Sequence, residues 1–107
     1  MSNFYISSSD IRVDDGHILR ARLRTEDGGE VDSEVDLNQF IGNDNGRFEW
    51  GGVNFSETAQ NVSFSIEGGA NVPVLRAELQ NLDGDWVGAD INLGERISNE
   101  NGRFTFQ

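Results

Sequence analysis

The chain carries one motif twice, and this internal duplication limits its fold more than any other feature. An offset of 56 residues places Leu19–Leu23 on Leu75–Leu79. The same offset places Asn45–Phe48 on Asn101–Phe104. In all, 14 of the 32 residues from 19 to 50 are identical to their counterparts. A match of this length without a gap indicates a duplicated unit.

The two repeats, 3–52 and 54–107, differ in length. Their starts match at a smaller offset, so the second repeat carries five extra residues around positions 67–71. Pro73, the only proline, is expected in this inserted loop. A unit of about fifty residues is marginal as a lone domain. We therefore expect the copies to exchange elements and to share one core, so that residues 1–107 form a single unit.

Alternating apolar and charged residues predict antiparallel strands in each repeat. Leu19, Ala21 and Leu23 alternate with arginines, and residues 31–36 alternate valine or serine with acidic residues. This period of two is typical of a half-buried strand. Any antiparallel register that joins the apolar faces also places the arginines opposite the acids, at ~0.2–1 kcal/mol per pair. We prefer this structural interpretation of the arginines to an anion-binding site.

Short turns complete a predicted all-β plan. A turn at 3–6 leads into a strand near Asp10–Val13, and Leu37–Ile41 has the pattern of one helical turn, too short to be stable alone. Asn45-Gly46 and Asn101-Gly102 predict type I′ hairpin turns. Helical periodicity extends nowhere over ten residues. The prediction is an all-β protein of strands, β-hairpins and short helical turns.

Charge and cysteine content exclude several kinds of partner. The net charge is -11, with 19 acidic residues and 8 basic ones, all of them arginine. Such a field repels phosphate backbones and anionic lipid, so we expect binding to neither nucleic acid nor membranes. Cysteine is absent, which removes disulfides and thiol chemistry. Together with the lack of a signal-peptide pattern, this favours a cytoplasmic location.

No catalytic or metal-binding constellation emerges from the sequence. His17, the only histidine, is expected to be a solvated turn residue and not a general base. The acidic turns at 14–16 and 43–46 lack the ligand spacing of a calcium loop, and hairpin chemistry explains them better. No carboxylate pair stands out for glycoside hydrolysis. We predict a protein that is not an enzyme and uses neither metal nor cofactor. Short polar side chains at its strand ends suit sugar hydroxyls, which both donate and accept hydrogen bonds.

A longer signature, present twice, carries a family resemblance. It has the form Asp/Asn-Leu-x-x-x-Ile-x-Asn-x-Asn-Gly-x-Phe-x-aromatic, and it runs from Asp36 to Trp50 and from Asn92 to Phe106. This pattern resembles the cyanovirin-N homology proteins, and the resemblance covers essentially the whole chain. It implies a pseudo-twofold lectin whose two domains, 1–40 plus 96–107 and 41–95, form by exchange between the repeats. Each domain would have a three-stranded antiparallel sheet and a hairpin. The implied ligands are high-mannose glycans, particularly α(1→2)-linked mannose.

The chain departs from the bacterial members of that family at their disulfides. Their four cysteine positions are occupied here by Ser8, Leu23, Ala59 and Leu79, as in the cysteine-free fungal members. We expect burial of the two leucines to replace the disulfides, at ~1.5–3 kcal/mol each. The flexible link Gly51-Gly52 is compatible with a monomer, and a domain-swapped dimer is the alternative.

The resemblance also implies two sugar sites at opposite ends of the molecule. The central site, which is preferred because it retains more of the family's residue types, comprises Asn43, Asp44, Asn45, Asn54, Glu57, Thr58, Gln80 and Asn81. The second site, which joins the two ends of the chain, comprises Asn3, Ser7, Arg24, Glu26, Asn99 and Asn101. Leu82 replaces a family arginine at the central site, and Ile6 replaces a glutamine at the second. With Trp86, these residues favour the alternative function, a protein-interaction module on the same fold with decayed sugar sites.

Overall fold

The structure, a computed structural model, describes residues 3–107. The strands of this part of the chain are β1 (Ser8–Asp14), β2 (Ile18–Arg24), β3 (Glu30–Asp36), β4 (Ile41–Asp44), β5 (Arg47–Trp50), β6 (Ala59–Glu67), β7 (Val72–Gln80), β8 (Trp86–Asn92), β9 (Ile97–Glu100) and β10 (Arg103–Phe106). Four 3₁₀ turns lie between them, at Phe4–Ser7, Leu37–Gln39, Phe55–Thr58 and Leu93–Glu95. Among these residues no helix has the length and apolar character needed to cross a membrane. The predicted all-β fold with short helical turns is confirmed, although β1 is longer than the predicted segment Asp10–Val13.

The repeats exchange their hairpins. Strands β1-β2-β3 form one antiparallel sheet and β6-β7-β8 form another, while β4-β5 and β9-β10 are separate hairpins. Strand β5 of the first repeat contacts β8 of the second, and β10 of the second contacts β3 of the first. Each three-stranded sheet therefore packs against the hairpin of the other repeat. The boundaries given above for the two pseudo-domains stay a prediction.

The arginines of β2 face acidic residues of β3, as the alternation predicts. The register places Arg20 opposite Glu34 and Arg22 opposite Asp32. Arg20 Nε lies 3.1 Å from Glu34 Oε1, and its Nη1 lies 2.7 Å from Asp14 Oδ2 on β1. These pairs are partly or fully exposed, so each is worth about 0–1 kcal/mol. Their main effect is to favour this register over a slipped one.

One hydrophobic core unites the two repeats. Its buried members come from the strands and the 3₁₀ turns of both repeats, namely Phe4, Leu19, Ala21, Leu23, Leu37, Ile41, Phe55, Leu75, Ala77, Leu79, Ile91, Leu93 and Ile97. Leu23 lies directly opposite Ser8, and Leu79 lies directly opposite Ala59. Both leucines are 0% exposed, so apolar packing stands where the resemblance puts disulfides. This expectation is confirmed.

The insertion in the second repeat lengthens a hairpin instead of forming a loose loop. Strands β6 and β7 each have 9 residues, whereas β1 and β2 each have 7. The prediction that Pro73 lies in the inserted loop is wrong, because Pro73 is a buried residue of β7 opposite Ile66. Its missing N–H is tolerated because the β7–β8 ladder begins one residue later, at Val74.

The two Asn-Gly hairpin turns have the backbone that the sequence predicts. Asn45 and Gly46 have φ values of 51° and 90°, and Asn101 and Gly102 have the same two values. Positive φ at both central residues defines the type I′ turn, which matches the twist of the flanking strands. Each turn therefore holds its hairpin in a fixed register.

His17 lies in a turn, as the sequence predicts, but its side chain is half-buried and hydrogen-bonded instead of solvated. Its Nδ1 lies 2.9 Å from Oδ1 of Asp36, and its carbonyl accepts from the N–H of Leu37. Burial of the Asp36 carboxyl raises its pKa, but the hydrogen bonds from His17 and from the Asn38 N–H, with the charge of His17, outweigh that effect. The net result is that the pKa of Asp36 lies below its ordinary value of 3.8. The sequence missed this contact because the two residues are 19 positions apart.

This pair predicts an acid-dependent loss of stability. The pKa of this carboxyl is lower in the folded protein than in the unfolded chain, where it is about 3.9. The ionised carboxyl therefore stabilises the fold above that pH, and this stabilisation is lost as the pH falls through the folded-state pKa. Asp36→Asn is therefore expected to be less stable than wild type above about pH 4 and equal to it in stronger acid. Urea unfolding at several pH values measures the difference. An asparagine at position 36 should still accept the N–H of Asn38 at the start of the turn Leu37–Gln39. Asn92 does the same in the second repeat, where its side chain accepts from Gly94 N at 2.8 Å.

The second repeat supplies the control for this prediction. Pro73 occupies the place of His17 there, so Asn92→Asp introduces a carboxyl without a basic partner at that position. We expect no added stability from it above about pH 4. A wild-type advantage over Asp36→Asn that stayed constant from acid to neutral pH would contradict the assignment.

Candidate functional site

At the central site, one asparagine side chain docks the β4–β5 hairpin onto the neighbouring repeat. Asn43 donates from Nδ2 to Thr58 Oγ1 at 2.8 Å and to the Gln80 carbonyl at 2.8 Å. Its Oδ1 accepts from the N–H of Gly46 at 2.8 Å. Asn43 thus joins the hairpin turn, the turn Phe55–Thr58 and the end of β7. We call this set of three hydrogen bonds the Asn43 clamp.

A second contact fixes the tip of the same hairpin. Asn45 Oδ1 accepts from the N–H of Leu82 at 2.9 Å. Asn81 in turn shapes the β7–β8 turn, because its Oδ1 accepts from the N–H groups of Asp83 and Asp85 at 3.0 and 2.9 Å. Gly46 is buried, and a Cβ there would lie 3.3 Å from the Val87 side chain. A glycine at this position therefore allows the positive φ of the turn and also lets the hairpin pack closely against β8.

The second site repeats this arrangement at the other end. Asn99 donates from Nδ2 to Ser7 Oγ at 2.8 Å and to the Arg24 carbonyl at 3.0 Å, and its Oδ1 accepts from Gly102 N at 2.9 Å. Asn101 Oδ1 accepts from the N–H of Glu26 at 2.9 Å. We call the three Asn99 bonds the Asn99 clamp. The two ends share one hydrogen-bond plan, which the 56-residue offset between the repeats explains.

The remaining predicted residues lie on the elements around these clamps. At the central site, Asp44 is exposed on the hairpin, 3.9 Å from Arg47, and Glu57 is exposed in the turn that ends at Thr58. Asn54 and Asn3 begin the two unit-start turns with φ of 60° and 69°. Their backbone N–H groups donate to Asn38 O and Gly94 O at 2.8 Å. At the second site, Arg24 accepts from Asn99 through its carbonyl and Glu26 donates to Asn101 through its N–H, so their side chains take no part in these bonds.

The second site also contains an open depression. Its volume is about 740 Å³, and it is lined by Glu26, Asn99, Glu100, Asn101 and Arg103. Glu100 and Arg103 were missed by the sequence analysis. The duplication offered a signal for one of them, since Glu100 occupies the place that Asp44 has at the central site. Arg103 lies opposite Glu100 in the β9–β10 register.

At the two ends, an aliphatic side chain and a carboxylate occupy exchanged positions. Leu82, 89% exposed, adjoins the central site, where Glu57 is one of the exposed acids. Ile6, 74% exposed, adjoins the second site, where Glu26 is one of the exposed acids. Leu82 corresponds to Glu26 in the repeat alignment, and Ile6 corresponds to Glu57. The two ends are therefore similar in composition but differ in how these groups are arranged.

Within residues 3–107, no group of three or more His, Asp or Glu side chains is arranged to hold a metal ion. Near the second site, the Thr25 hydroxyl and the Gly29 N–H donate to Asp27 and lower the pKa of its carboxyl. The predicted sites present carboxyl, amide and hydroxyl groups on firmly hydrogen-bonded turns. Such groups suit polar ligands with many hydroxyls.

Comparison with known proteins gives this arrangement a family. The CVNH domain family model matches residues 4–105. A cyanovirin-N homolog of Neurospora crassa is 44% identical over 106 residues, which cover 95% of this chain and 96% of that protein. The solved structure of GzCVNH from Gibberella zeae is similar with a TM-score of 0.94 and 52% identity, covering 99% of this chain and 98% of that one.

Two similar structures were solved with sugars. Microvirin in complex with mannobiose has a TM-score of 0.88 and 31% identity, with full coverage of both chains. A MoCVNH3 variant in complex with (N-GlcNAc)4 has a TM-score of 0.86 and 31% identity, covering 99% of this chain and 97% of that one. The chain described here belongs to the cyanovirin-N homology (CVNH) family of carbohydrate-binding proteins.

Proposed function

We propose that the protein is a lectin that binds mannose-type oligosaccharides, with α(1→2)-linked mannose as the preferred unit. Membership of the CVNH family supports sugar binding, and the mannobiose complex of a relative 31% identical supports mannose. The charge of -11 disfavours anionic glycans, which leaves neutral oligosaccharides as the expected class.

The observation that carries this proposal is the pair of asparagine clamps. Asn43 and Asn99 each use the amide nitrogen to donate to two other residues and the amide oxygen to accept from a glycine N–H. These bonds immobilise the polar residues around them before any ligand arrives. Binding then costs less conformational entropy, which favours affinity for flexible, hydroxyl-rich ligands. The clamping asparagines act in this proposal mainly by holding the site together.

We propose the central site as the tighter of the two. Asn54, Glu57 and Thr58 retain the residue types that the resemblance implies, and Asp44 and Asn45 lie on a hairpin tip fixed by Leu82 N. Gln80 and Asn81 complete the site from β7 and its turn. The second site, comprising Asn3, Ser7, Arg24, Glu26, Asn99 and Asn101, is proposed to bind more weakly, with Glu100 and Arg103 added to it from the depression.

We also propose that binding occurs without catalysis and that the protein acts as a monomer. Among residues 3–107, the side-chain hydrogen bond of His17 goes to Asp36, and no hydrogen bond joins its ring to a serine hydroxyl, the nucleophile that such a site would need. Each hairpin finds its sheet within one chain, through the β5–β8 and β10–β3 contacts, so no second copy is needed to complete the fold.

Calorimetric titration with a small panel of sugars tests the proposal. The panel is α(1→2)-mannobiose, α(1→6)-mannobiose and chitotetraose, each titrated into the full chain. We expect saturable binding of the α(1→2) disaccharide and at least tenfold weaker binding of the other two, a difference of about 1.4 kcal/mol. Equal affinity for all three would overturn the linkage preference, and preferential chitotetraose binding would overturn the mannose assignment.

The alternative function, a protein-interaction module, draws on the exposed aliphatic side chains. Leu82 and Ile6 each stand beside one predicted site, and Trp86 is 43% exposed near the first of them. Exposed apolar groups of this size at both ends are consistent with docking of an apolar partner surface. The same panel separates the two functions, because a module with decayed sites would bind none of the three sugars.

A further inference from the structure

The outer face of the β6-β7-β8 sheet carries a groove outside both predicted sites. Its volume is about 390 Å³, and its lining includes Asn61, Arg76, Glu78, Gly88 and Asp90. A Cβ at Gly88 would meet no atom within 4 Å, so the middle of the groove is open to solvent. This groove lies on the polar face of the sheet, since the core residues of β7 alternate onto the other side.

Trp86 stands at one end of the same face. It precedes Gly88 by two residues on β8, so the two residues lie on one side of the sheet. Trp86 is 43% exposed and does not belong to the partly buried residues that pack against the core. The other tryptophan, Trp50, stacks on Phe40 and Phe106, with ring centroids 6.4 and 5.8 Å apart. One indole therefore supports the core, and the other offers an apolar ring beside a polar groove.

Glu78 is held in place as a hydrogen-bond acceptor at the groove. Its Oε1 accepts from Gln60 Nε2 at 2.9 Å and from Asn61 Nδ2 at 2.7 Å. Both bonds use the same oxygen, which leaves Oε2 available to a ligand hydroxyl. Arg76 is bound to Glu67 through two hydrogen bonds, so its charge is already neutralised. A fixed carboxylate beside an exposed indole is suited to a sugar, which has both hydroxyls and an apolar ring face.

The first repeat lacks this combination. The counterparts of Trp86, Gly88 and Glu78 are Glu30, Asp32 and Arg22. Arg22 lies 3.7 Å from both Glu30 and Asp32, so charged pairs occupy that face. A cavity on the first sheet is smaller, about 210 Å³, and is lined largely by charged residues. Trp86 and Gly88 therefore distinguish the β6-β7-β8 sheet from the β1-β2-β3 sheet, which is otherwise similar.

Gln80 connects the sheet that carries the groove to the central site. That residue lies opposite Trp86 in the β7–β8 register, and its carbonyl accepts from Asn43 of the clamp. From Trp86 to Asp90 the strand extends about 13 Å. We propose that this surface, defined by Trp86, Gly88, Glu78 and Asp90, is an extension of the central site. It binds further sugar units of the same neutral oligosaccharide, with one pyranose ring stacked on Trp86 and hydroxyls donated to Glu78 and Asp90. This inference rests on the proposed function.

Two substitutions test the extension with a short and a longer glycan. The affinities of α(1→2)-mannobiose and of linear α(1→2)-mannotetraose are measured for wild type, Trp86→Ala and Gly88→Asp. Both variants are expected to bind the tetrasaccharide about tenfold more weakly than wild type, a difference of about 1.4 kcal/mol, and to bind the disaccharide unchanged. Gly88→Asp introduces the residue that the first repeat has at the equivalent strand position, so the strand should accept it.

The control is Glu30→Ala, which alters the equivalent position of the first repeat and should change neither affinity. Backbone amide spectra verify that each variant is folded. The chain has only two tryptophans, so the indole N–H of Trp86 gives a second readout with Trp50 as reference. It should shift with the tetrasaccharide and not with the disaccharide.

The outcomes separate the two proposals. If neither Trp86→Ala nor Gly88→Asp binds the tetrasaccharide more weakly than wild type, the extension is overturned and the lectin function stands. If only Gly88→Asp weakens binding, stacking on Trp86 is overturned. If wild type binds neither sugar, the proposed function itself is overturned.

Discussion

Leu79→Ala is expected to lower the free energy of unfolding by about 2–5 kcal/mol. Leu79 is 0% exposed, on the inner face of β7 opposite Ala59, so truncation leaves a cavity that its neighbours fill only in part. The total stability of such a domain is about 5–15 kcal/mol, and the substitution therefore removes a large fraction of it. Chemical unfolding followed by circular dichroism measures the loss.

Leu82→Ala is the matched control, because it makes the same chemical change three residues further along the chain. Leu82 is 89% exposed, and its replacement should alter the free energy of unfolding by less than about 0.5 kcal/mol. If the two variants unfolded at the same denaturant concentration, Leu79 could not be the buried residue that replaces a disulfide position.

Asn43→Ala is expected to lower the free energy of unfolding by about 3 kcal/mol, since three hydrogen bonds at about 1 kcal/mol each are lost. It should also abolish sugar binding at the central site, because Gly46, Thr58 and Gln80 lose the amide that connects them. Chemical unfolding measures the first effect. Amide shift titration with α(1→2)-mannobiose measures the second.

Asn99→Ala provides the comparison at the other end. The Asn99 clamp has the same three kinds of bond, so its loss should destabilise the protein to a similar extent. Its effect on sugar binding should be confined to the second site. If Asn43→Ala left the shifts of Asn54, Glu57 and Thr58 with sugar unchanged, the clamp would not organise the central site.

Much of this fold follows from the duplication and the local pattern of the sequence. The alternation of Leu19–Leu23 predicts β2 and its register against β3, and the two Asn-Gly pairs predict type I′ turns. These features depend on residues close together along the chain, where turn chemistry and side-chain alternation act directly. Exchange of hairpins between repeats was predictable from the small size of each unit.

The errors arose where tertiary contacts override local preference. Pro73 adjoins the five inserted residues and is therefore expected in a loop, but the longer β6–β7 hairpin gives it a position where no ladder hydrogen bond is lost. His17 was expected to be solvated because its partner Asp36 approaches only through the sheet. The residues that flank Pro73 and His17 along the chain indicate neither the strand position of the proline nor the contact of the histidine.

The sequence groups the residues at each end of the molecule but does not show which hydrogen bonds connect them. The signature contains Asn43 and Asn99 but cannot reveal that their partners are 37 and 75 residues away, at Gln80 and Arg24. Glu100 and Arg103 enter only once the depression is known. Hydrogen bonds between residues so far apart along the chain depend on how the repeats exchange their hairpins. A residue pattern does not specify that exchange in detail.

Titration of isotope-labelled protein with α(1→2)-mannobiose, followed by backbone amide shifts in NMR spectra, tests whether the protein is a mannose-binding lectin. We expect saturable shifts that are largest at Asn43, Asn45, Asn54 and Glu57. Weaker shifts should follow at Ser7, Asn99 and Asn101 as the sugar concentration rises. Shifts confined to the second group would keep the function and reverse the order of the sites, and an unchanged spectrum at millimolar sugar would contradict the account.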